Sequence, residues 1–124
     1  MNQGMHLLVD ACGGTPKQLK DADIWYDVLD ELTNILSMRK MMDPYIIRFK
    51  DEKGKPAGVT GFVVIAESHL SVHTYPETGY FAMDLFSCKP FDVDKAIAYL
   101  QKKLGNVELT IKLEPRGMEI TAVQ

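Results

Sequence analysis

Cysteine is scarce in this chain, which has only Cys12 and Cys88 among its 124 residues. Two cysteines cannot build the disulfide framework of a small secreted protein, so we expect a reducing, cytoplasmic location. The sequence also lacks any apolar run near the roughly 20 residues that a membrane-spanning helix needs. Its first twelve residues carry no basic segment before a short apolar stretch, so no signal peptide is expected.

An excess of positive charge is also missing, because 14 Lys and Arg stand against 17 Asp and Glu, for a net charge of −3. Proteins that bind nucleic acid need a basic surface, so we expect no nucleic-acid partner. The other totals, 46% hydrophobic and 25% charged residues, are those of one ordinary soluble domain. A chain of this length buries roughly two-thirds of its unfolded surface, which suffices for a core without disulfides or a metal.

Two main helices are predicted by apolar residues that recur every three or four positions. The first begins near Asp21 or Asp23 and runs to about residue 40, after a short helical turn that Thr15 caps. The second is capped by Asp92 or Asp94 and runs to Leu104, with Gly105 as its stop. The positions expected on their buried sides are Ile24, Val28, Leu32, Ile35, Leu36, Val93, Ala96, Ile97 and Leu100.

Six strands are predicted by β-branched and aromatic runs that end at Gly, Pro or Asp. They cover residues 6–11, 45–49, 58–66, 70–75, 80–88 and 107–113. The most apolar of them, 58–66, is predicted to be a central and well-buried strand. The order β-α-β-β-β-β-α-β, with short turns between consecutive strands, predicts an α+β fold. We expect a two-layer sandwich, in which a mostly antiparallel sheet carries two main helices on one face.

Residues with reactive side chains are concentrated between Thr60 and Cys88. His69 and His73 lie on a predicted strand, where four residues span about 13 Å, so the two cannot ligate one metal ion without a sharp bend. Ser68 lies outside the G-x-S-x-G pattern of a hydrolase nucleophile. Taken singly, each reactive residue has an ordinary structural explanation, and Cys88 at a strand end would be a small buried side chain.

Their joint arrangement is more specific. The residues from Gly58 to Cys88, GVTGFVVIAESHLSVHTYPETGYFAMDLFSC, resemble the prokaryotic S-adenosylmethionine decarboxylases, which carry a pyruvoyl group made from their own chain. The resemblance is strongest in Glu67-Ser68-His69 and the segment S-V-H-T-Y-P-E that follows, and it extends to HLLVD near the start. It implies a single domain that cuts itself before Ser68, giving a β chain, 1–67, and an α chain, 68–124, that begins with the pyruvoyl group.

The resemblance also implies a role for individual residues. In processing, the Ser68 hydroxyl attacks the carbonyl of Glu67, His73 is the base that removes a proton, and Thr60 stands where many members have a serine that assists. In catalysis, the pyruvoyl carbonyl forms a Schiff base with the substrate amine, and Cys88 is the proton donor after carbon dioxide leaves. For substrate binding, Glu77 matches the carboxylate that holds the ribose hydroxyls, and Phe49 matches an aromatic near the nucleoside.

The implied activity is decarboxylation of S-adenosylmethionine, which makes the aminopropyl donor for spermidine synthesis. One departure leaves an ornithine or arginine decarboxylase open, because the loop 50–56 is longer than in the family. Tyr75 stands where tryptophan is common, which keeps an aromatic ring of a different size. The ribose-binding Glu77 favours the nucleoside substrate. A non-catalytic homologue is the other alternative, against which the joint presence of Ser68, His73 and Cys88 counts.

Two structural expectations follow. On a regular strand, Ser68 and His73 point to opposite faces, so we expect a bend at Ser68, or the end of the strand there, that brings Ser68 to His73. A sheet with helices on one side leaves a face or an edge to cover. We therefore expect a homodimer of processed αβ units, in agreement with the family, with an active site that can be shared between the subunits.

Overall fold

Six strands and three helices follow one another in the computed structural model, which describes residues 4–117. The elements are β1 (Gly4–Cys12), α1 (Pro16–Lys20), α2 (Ala22–Ile35), β2 (Tyr45–Lys50), β3 (Pro56–Ile65), β4 (Ser68–Tyr75), β5 (Tyr80–Ser87), α3 (Val93–Leu104) and β6 (Glu108–Arg116). The predicted α+β class and the order of the elements are confirmed. No helix within residues 4–117 is long and apolar enough to cross a membrane.

The strands form one antiparallel sheet in the order β2-β3-β4-β5-β1-β6. Strands β2 to β5 are sequential neighbours, because each is joined to the next by a hairpin connection. Strand β1 instead lies between β5 and β6, so the first strand of the chain is inserted between two strands from its last third. The sheet is therefore held together by pairing between distant parts of the sequence.

The core lies between the helices and one face of the sheet. Trp25 of α2 packs against Phe81 of β5 with ring centroids 4.9 Å apart, and its Nε1–H donates to the carbonyl of Gln18 at 3.0 Å. Leu19 of α1 is also fully buried. Each large apolar side chain buried in this way contributes about 1.5–3 kcal/mol, so the helix layer gains its stability mainly from this interface.

Helix α2 ends at Ile35, five residues before the predicted end near residue 40. The chain leaves the helix at Ser37, whose φ of 56° is in the left-handed region. The backbone of the next residues bonds to β3 and the turn after it, a long-range interaction that helical periodicity does not reveal. The predicted buried stripe is also displaced, because Ile35 is 39% exposed while Trp25 and Leu29, which the prediction omitted, are fully buried.

Strand β3 is internal but is buried on one face only, so the prediction of a well-buried central strand was half right. Its side chains at Val59, Val63 and Ile65 face the helices. Those of Phe62 and Val64 point to the other side, where they are 37% and 43% exposed. We call this side, which no helix within residues 4–117 covers, the open face of the sheet.

Gly58 of β3 lies against the backbone of β4. A Cβ at this position would be 2.1 Å from the carbonyl oxygen of Thr74. The Thr74 hydroxyl, in turn, accepts from the Val59 N–H at 2.8 Å and donates to the carbonyl of Leu19 at 2.7 Å, so it ties β3, β4 and α1 together. A side chain at position 58 would push apart the strands at this junction.

Gly58→Ala is expected to destabilise the fold by about 1–3 kcal/mol, because the crowded atom is backbone and cannot rotate away. Urea unfolding monitored by the fluorescence of Trp25 measures the change in the free energy of unfolding. The control is Gly54→Asn, which adds a side chain in open space at a φ of 76° that asparagine tolerates. Equal stability of the two variants would contradict the close approach of β3 and β4.

Candidate functional site

One group of the predicted site residues meets at the far end of β4, on the open face. The register of β3 and β4 places Thr60 opposite His73. Their side chains are in contact, with Thr60 Oγ1 and His73 Nδ1 2.9 Å apart. This contact fixes the orientation of the imidazole ring and leaves Nε2 free to exchange a proton with another molecule.

The same residues line a groove with a volume of about 880 Å³. Phe49 of β2 and Tyr75 at the end of β4 supply two aromatic rings to it, each on a side chain that is 48% exposed. Glu77, in the turn after β4, adds an exposed carboxylate. Clefts of this size that combine apolar surface with polar groups are typical of small-molecule sites. We call Phe49, Thr60, His73, Tyr75 and Glu77 the His73 half-site.

A tyrosine pair supports one wall of this groove. Tyr75 stacks on Tyr80, its partner across the β4–β5 hairpin, with ring centroids 5.3 Å apart. The Tyr80 hydroxyl donates to the carboxylate of Asp10, and this hydrogen bond, with a smaller effect of burial, raises the pKa of Tyr80 to about 12. Tyr80 therefore stays neutral and fixed. Sequence reasoning omitted it, although the turn at 76–79 predicts that it pairs with Tyr75.

A second group meets at the other end of β4, where the two residues Ala66 and Glu67 form the turn between β3 and β4. Ser68, the first residue of β4, has a φ of 153°, a value that residues with a side chain rarely adopt. The carbonyl oxygen of Glu67 accepts a hydrogen bond from the Cys88 N–H at 2.8 Å. We call Glu67, Ser68 and Cys88 the Ser68 half-site.

The side chains of this half-site differ in exposure. Glu67 is only 8% exposed, and its Oε1 accepts a hydrogen bond from the Arg39 N–H at 3.1 Å. Cys88 is exposed and is not part of a disulfide, so its thiol is accessible. The ordinary interpretation of Cys88 taken singly, as a small buried side chain, is therefore wrong; the residue directly follows Ser87, the last residue of β5.

The structure does not bring the two half-sites together within one chain. Strand β4 does begin at Ser68, but His73 lies five residues further along the same strand, which corresponds to about 16 Å. The expected approach of Ser68 to His73 is therefore wrong for a single chain. Each half-site faces an accessible surface, and neither contains both the hydroxyl and the imidazole.

The histidines of β4 also have separate surroundings. His69 lies against Phe86, with ring centroids 5.9 Å apart, whereas His73 contacts Thr60. Within residues 4–117, no three His, Cys, Asp or Glu side chains converge in a way that could hold a metal ion.

Comparison with known proteins identifies the family. Residues 5–117 match the family model described as S-adenosylmethionine decarboxylase. Two curated relatives carry the name S-adenosylmethionine decarboxylase proenzyme. That of Pyrococcus abyssi is 35% identical over 117 residues, which cover 94% of this chain and 80% of the relative. That of Clostridium botulinum strain Loch Maree is 36% identical over 115 residues, which cover 92% and 94%.

A solved structure shows the same fold. The crystal structure of the adenosylmethionine decarboxylase from Aquifex aeolicus superimposes with a TM-score of 0.78 and 22% identity, and the match covers 99% of this chain and 98% of that one. The fold likeness, the family model and the two relatives agree. This chain belongs to the S-adenosylmethionine decarboxylase family.

Proposed function

We propose that this chain is a decarboxylase of S-adenosylmethionine that cuts itself between Glu67 and Ser68 and makes its pyruvoyl group from Ser68. Membership of the family supports the reaction and the substrate. The observation that carries the self-cleavage is the 2.8 Å hydrogen bond from the Cys88 N–H to the Glu67 carbonyl, directly before Ser68, whose φ is 153°. The scissile carbonyl is polarised, and the backbone after it is strained.

In the first step, the Ser68 hydroxyl attacks the carbonyl carbon of Glu67. The C–O bond forms, the C–N bond breaks, and the hydroxyl proton passes to the Ser68 nitrogen, so that the amide becomes an ester. Negative charge develops on the Glu67 oxygen during this attack, where the Cys88 N–H stabilises it. An unusual φ of this kind stores about 1–3 kcal/mol, which is released when the bond is cut.

In the second step, a base removes the Cα proton of Ser68 and the ester bond to Cβ breaks. The carboxylate of Glu67 leaves as the new end of the β chain, and dehydroalanine remains. Water then adds to its imine form and ammonia leaves, which gives the pyruvoyl group. We assign the base to His73 Nε2, which requires the tautomer in which Nδ1–H donates to Thr60 Oγ1.

Because Ser68 and His73 lie about 16 Å apart on one strand, the base must come from a second copy. We propose a homodimer whose open faces meet, so that the His73 half-site of one protomer completes the Ser68 half-site of the other. Regular alternation would turn Ser68 toward the helices, and its φ of 153°, which departs from a regular strand, is the feature by which we propose that it is accessible from the open face. A two-fold axis makes two identical sites in this way. The open face has the apolar character of such an interface. Its exposed large apolar residues include Tyr45 (55%), Ile47 (40%), Phe49 (48%), Phe62 (37%), Val64 (43%) and Tyr75 (48%).

In catalysis, the pyruvoyl group supplies an electrophilic carbonyl that bonds the substrate amine and accepts the electrons released when carbon dioxide departs. Cys88 follows β5 next to Ser68, and its accessible thiol donates a proton to the substrate carbon afterwards. The product is the aminopropyl donor for spermidine synthesis. Two free, exposed thiols suit a reducing compartment, so we propose a cytoplasmic location.

The His73 half-site supplies the binding groups for the nucleoside. Two carboxylate oxygens of Glu77 can accept hydrogen bonds from both ribose hydroxyls, and the rings of Phe49 and Tyr75 offer apolar surfaces to the adenine. Ornithine and arginine have neither a ribose nor a nucleobase, so Glu77, Phe49 and Tyr75 would have no group to bind. Comparison of kcat/KM for the three compounds tests the choice, and we expect activity with S-adenosylmethionine only.

Mass spectrometry of the purified, denatured protein tests the proposal as a whole. We expect two pieces, residues 1–67 and 68–124, of which the second is blocked to N-terminal sequencing by the pyruvoyl group. A single intact chain after long incubation would contradict the proposal and favour a non-catalytic homologue.

Glu77→Gln is expected to raise the KM for S-adenosylmethionine about tenfold while kcat changes little, because a hydrogen bond to a charged acceptor is worth about 1.5–3 kcal/mol. Steady-state release of carbon dioxide, normalised to the pyruvoyl-containing chain, measures both constants. The control is Glu52→Gln, a charge removed from the exposed tip of the nearby β2–β3 hairpin. An unchanged KM in Glu77→Gln would rule out its contact with the ribose.

A further inference from the structure

A segment between α2 and β2 lies alongside the turn that contains the cleavage site. We call residues 37–41 the strap. Lys40 of the strap and Ile65 form an isolated antiparallel bridge. The carbonyl of Arg39 accepts from the Ala66 N–H at 2.8 Å, and the Met41 N–H donates to the carbonyl of Val64 at 2.9 Å. The strap therefore pairs with the end of β3 like a short additional strand.

The strap also holds the side chain of Glu67. The Arg39 N–H donates to Glu67 Oε1 at 3.1 Å, and this carboxylate is largely buried. Glu67 is thus held through two separate groups. Cys88 bonds its backbone carbonyl, and the strap bonds its side chain.

The other side of the strap is tied to α2. Lys40 Nζ lies 2.9 Å from Asp30 Oδ1 and 2.7 Å from Asn34 Oδ1, and the lysine side chain is 22% exposed. The Met38 N–H donates to the carbonyl of Thr33 at 2.8 Å. Because of these bonds, a rigid helix positions the strap, and the strap in turn positions the Ala66–Glu67 turn.

An unusual backbone conformation persists only where its surroundings impose it. A free two-residue turn would let Ser68 relax from its φ of 153°. We propose that the strap, anchored by Lys40, is a positioning device for self-cleavage that keeps the bond between Glu67 and Ser68 in its reactive geometry. This inference rests on the proposed self-cleavage and adds a part of the molecule that none of the chemical steps uses.

The strap should influence processing and leave turnover alone. Within residues 4–117, it forms no hydrogen bond with the His73 half-site or with the side chain of Cys88. Once the pyruvoyl group is made, the bond between Glu67 and Ser68 no longer exists. Movement of the strap should then have no effect on the rate of decarboxylation. This separation distinguishes positioning of the scissile bond from general support of the fold.

The test compares Lys40→Met with Lys103→Met. Lys103 also bridges carboxylates of α2, at 3.2 Å from Glu31 and 3.9 Å from Asp27, and it has a similar exposure of 27%. It belongs to α3, however, and not to the strap. We expect the half-time of self-cleavage to lengthen about tenfold in Lys40→Met and to stay unchanged in Lys103→Met, since small misplacements of reacting groups slow reactions strongly. Turnover per pyruvoyl-containing chain should be equal in both.

A second pair of variants covers the case in which Lys40→Met does not fold. Glu67→Gln keeps an oxygen that can accept from the Arg39 N–H, whereas Glu67→Ala removes it. We expect self-cleavage in Glu67→Ala to be at least about tenfold slower than in Glu67→Gln, because only the glutamine can accept the hydrogen bond from the strap. Hydroxylamine, which cleaves esters, should not accelerate the slow variants, because they are delayed before the ester forms.

Three results would overturn the inference. These are a wild-type cleavage rate in folded Lys40→Met or in Glu67→Ala, equal slowing in Lys40→Met and Lys103→Met, and full rescue by hydroxylamine, which would place the delay after ester formation. A wild-type chain that never cuts itself would instead overturn the proposed function, and this inference with it.

Discussion

Ser68→Ala is expected to remain a single chain of 124 residues and to release no carbon dioxide from S-adenosylmethionine. The methyl group of alanine cannot attack the Glu67 carbonyl, so neither the ester nor the pyruvoyl group forms. Denatured mass and a radiometric decarboxylation assay measure the two losses on the same preparation. Because Ser68 is at the start of a strand and only partly buried, the variant should keep its fold.

Ser71→Ala is the matched control, since Ser71 lies on the same strand and is also partly buried. It should cut itself and decarboxylate as the unaltered protein does. Cleavage of Ser68→Ala at the same bond would contradict the role of the Ser68 hydroxyl. Decarboxylation by the uncut variant would contradict the need for a pyruvoyl group.

Co-expression of Ser68→Ala with His73→Ala is expected to restore activity that neither variant has alone. In the proposed dimer, each site takes Ser68 from one protomer and His73 from the other. A mixed dimer therefore has one site with both defects and one site with none. With random pairing, half of the dimers are mixed, so about a quarter of all sites should be intact.

The control is co-expression of Ser68→Ala with Cys88→Ala, because both residues belong to the Ser68 half-site. Every site in that mixture lacks one of the two side chains, so activity should not exceed that of Cys88→Ala alone. The measurement is carbon dioxide release per total chain, together with the cut fraction by mass. Failure of the first pair to exceed its parents would mean that Ser68 and His73 act within one chain.

Local signals in the sequence predicted much of the fold. The caps of the helices are the clearest case, since the Thr15 and Asp92 side chains accept hydrogen bonds from the first turns of α1 and α3, and α3 ends at Gly105 with a φ of 80°. Alternation along β4 also separated its buried from its exposed residues. These features depend on neighbours within a few residues, so a single sequence reveals them.

The end of α2 could not be predicted in the same way. The apolar period continues toward residue 40, but residues 37–41 form hydrogen bonds with the end of β3, more than twenty positions away in the chain. Features of this kind depend on packing between distant segments, and local periodicity carries no information about such packing.

The arrangement of the site residues could also be predicted only in part. Alternation already placed Ser68 and His73 on opposite faces of a strand, and the rise per residue placed them about 16 Å apart. We expected a bend in the chain to resolve this separation, and the structure contains none that does. The alternative to a bend is a second protomer that supplies His73, and the periodicity of one sequence does not reveal contacts with a second protomer. The roles of the individual residues remain predictions until the variants above are measured.

The position of β1 has a consequence for how the protein would refold after self-cleavage. Cleavage before Ser68 would leave β1 in the first piece, paired on both sides with β5 and β6 of the second. The pieces are thus interleaved in one sheet and cannot part without opening three ladders. Once unfolded, however, they would have to find each other by diffusion, and recovery would slow with dilution. Folding as a single chain is therefore possible only before the cut, and a processed protein unfolded by heat would regain its fold only by association of two separate pieces.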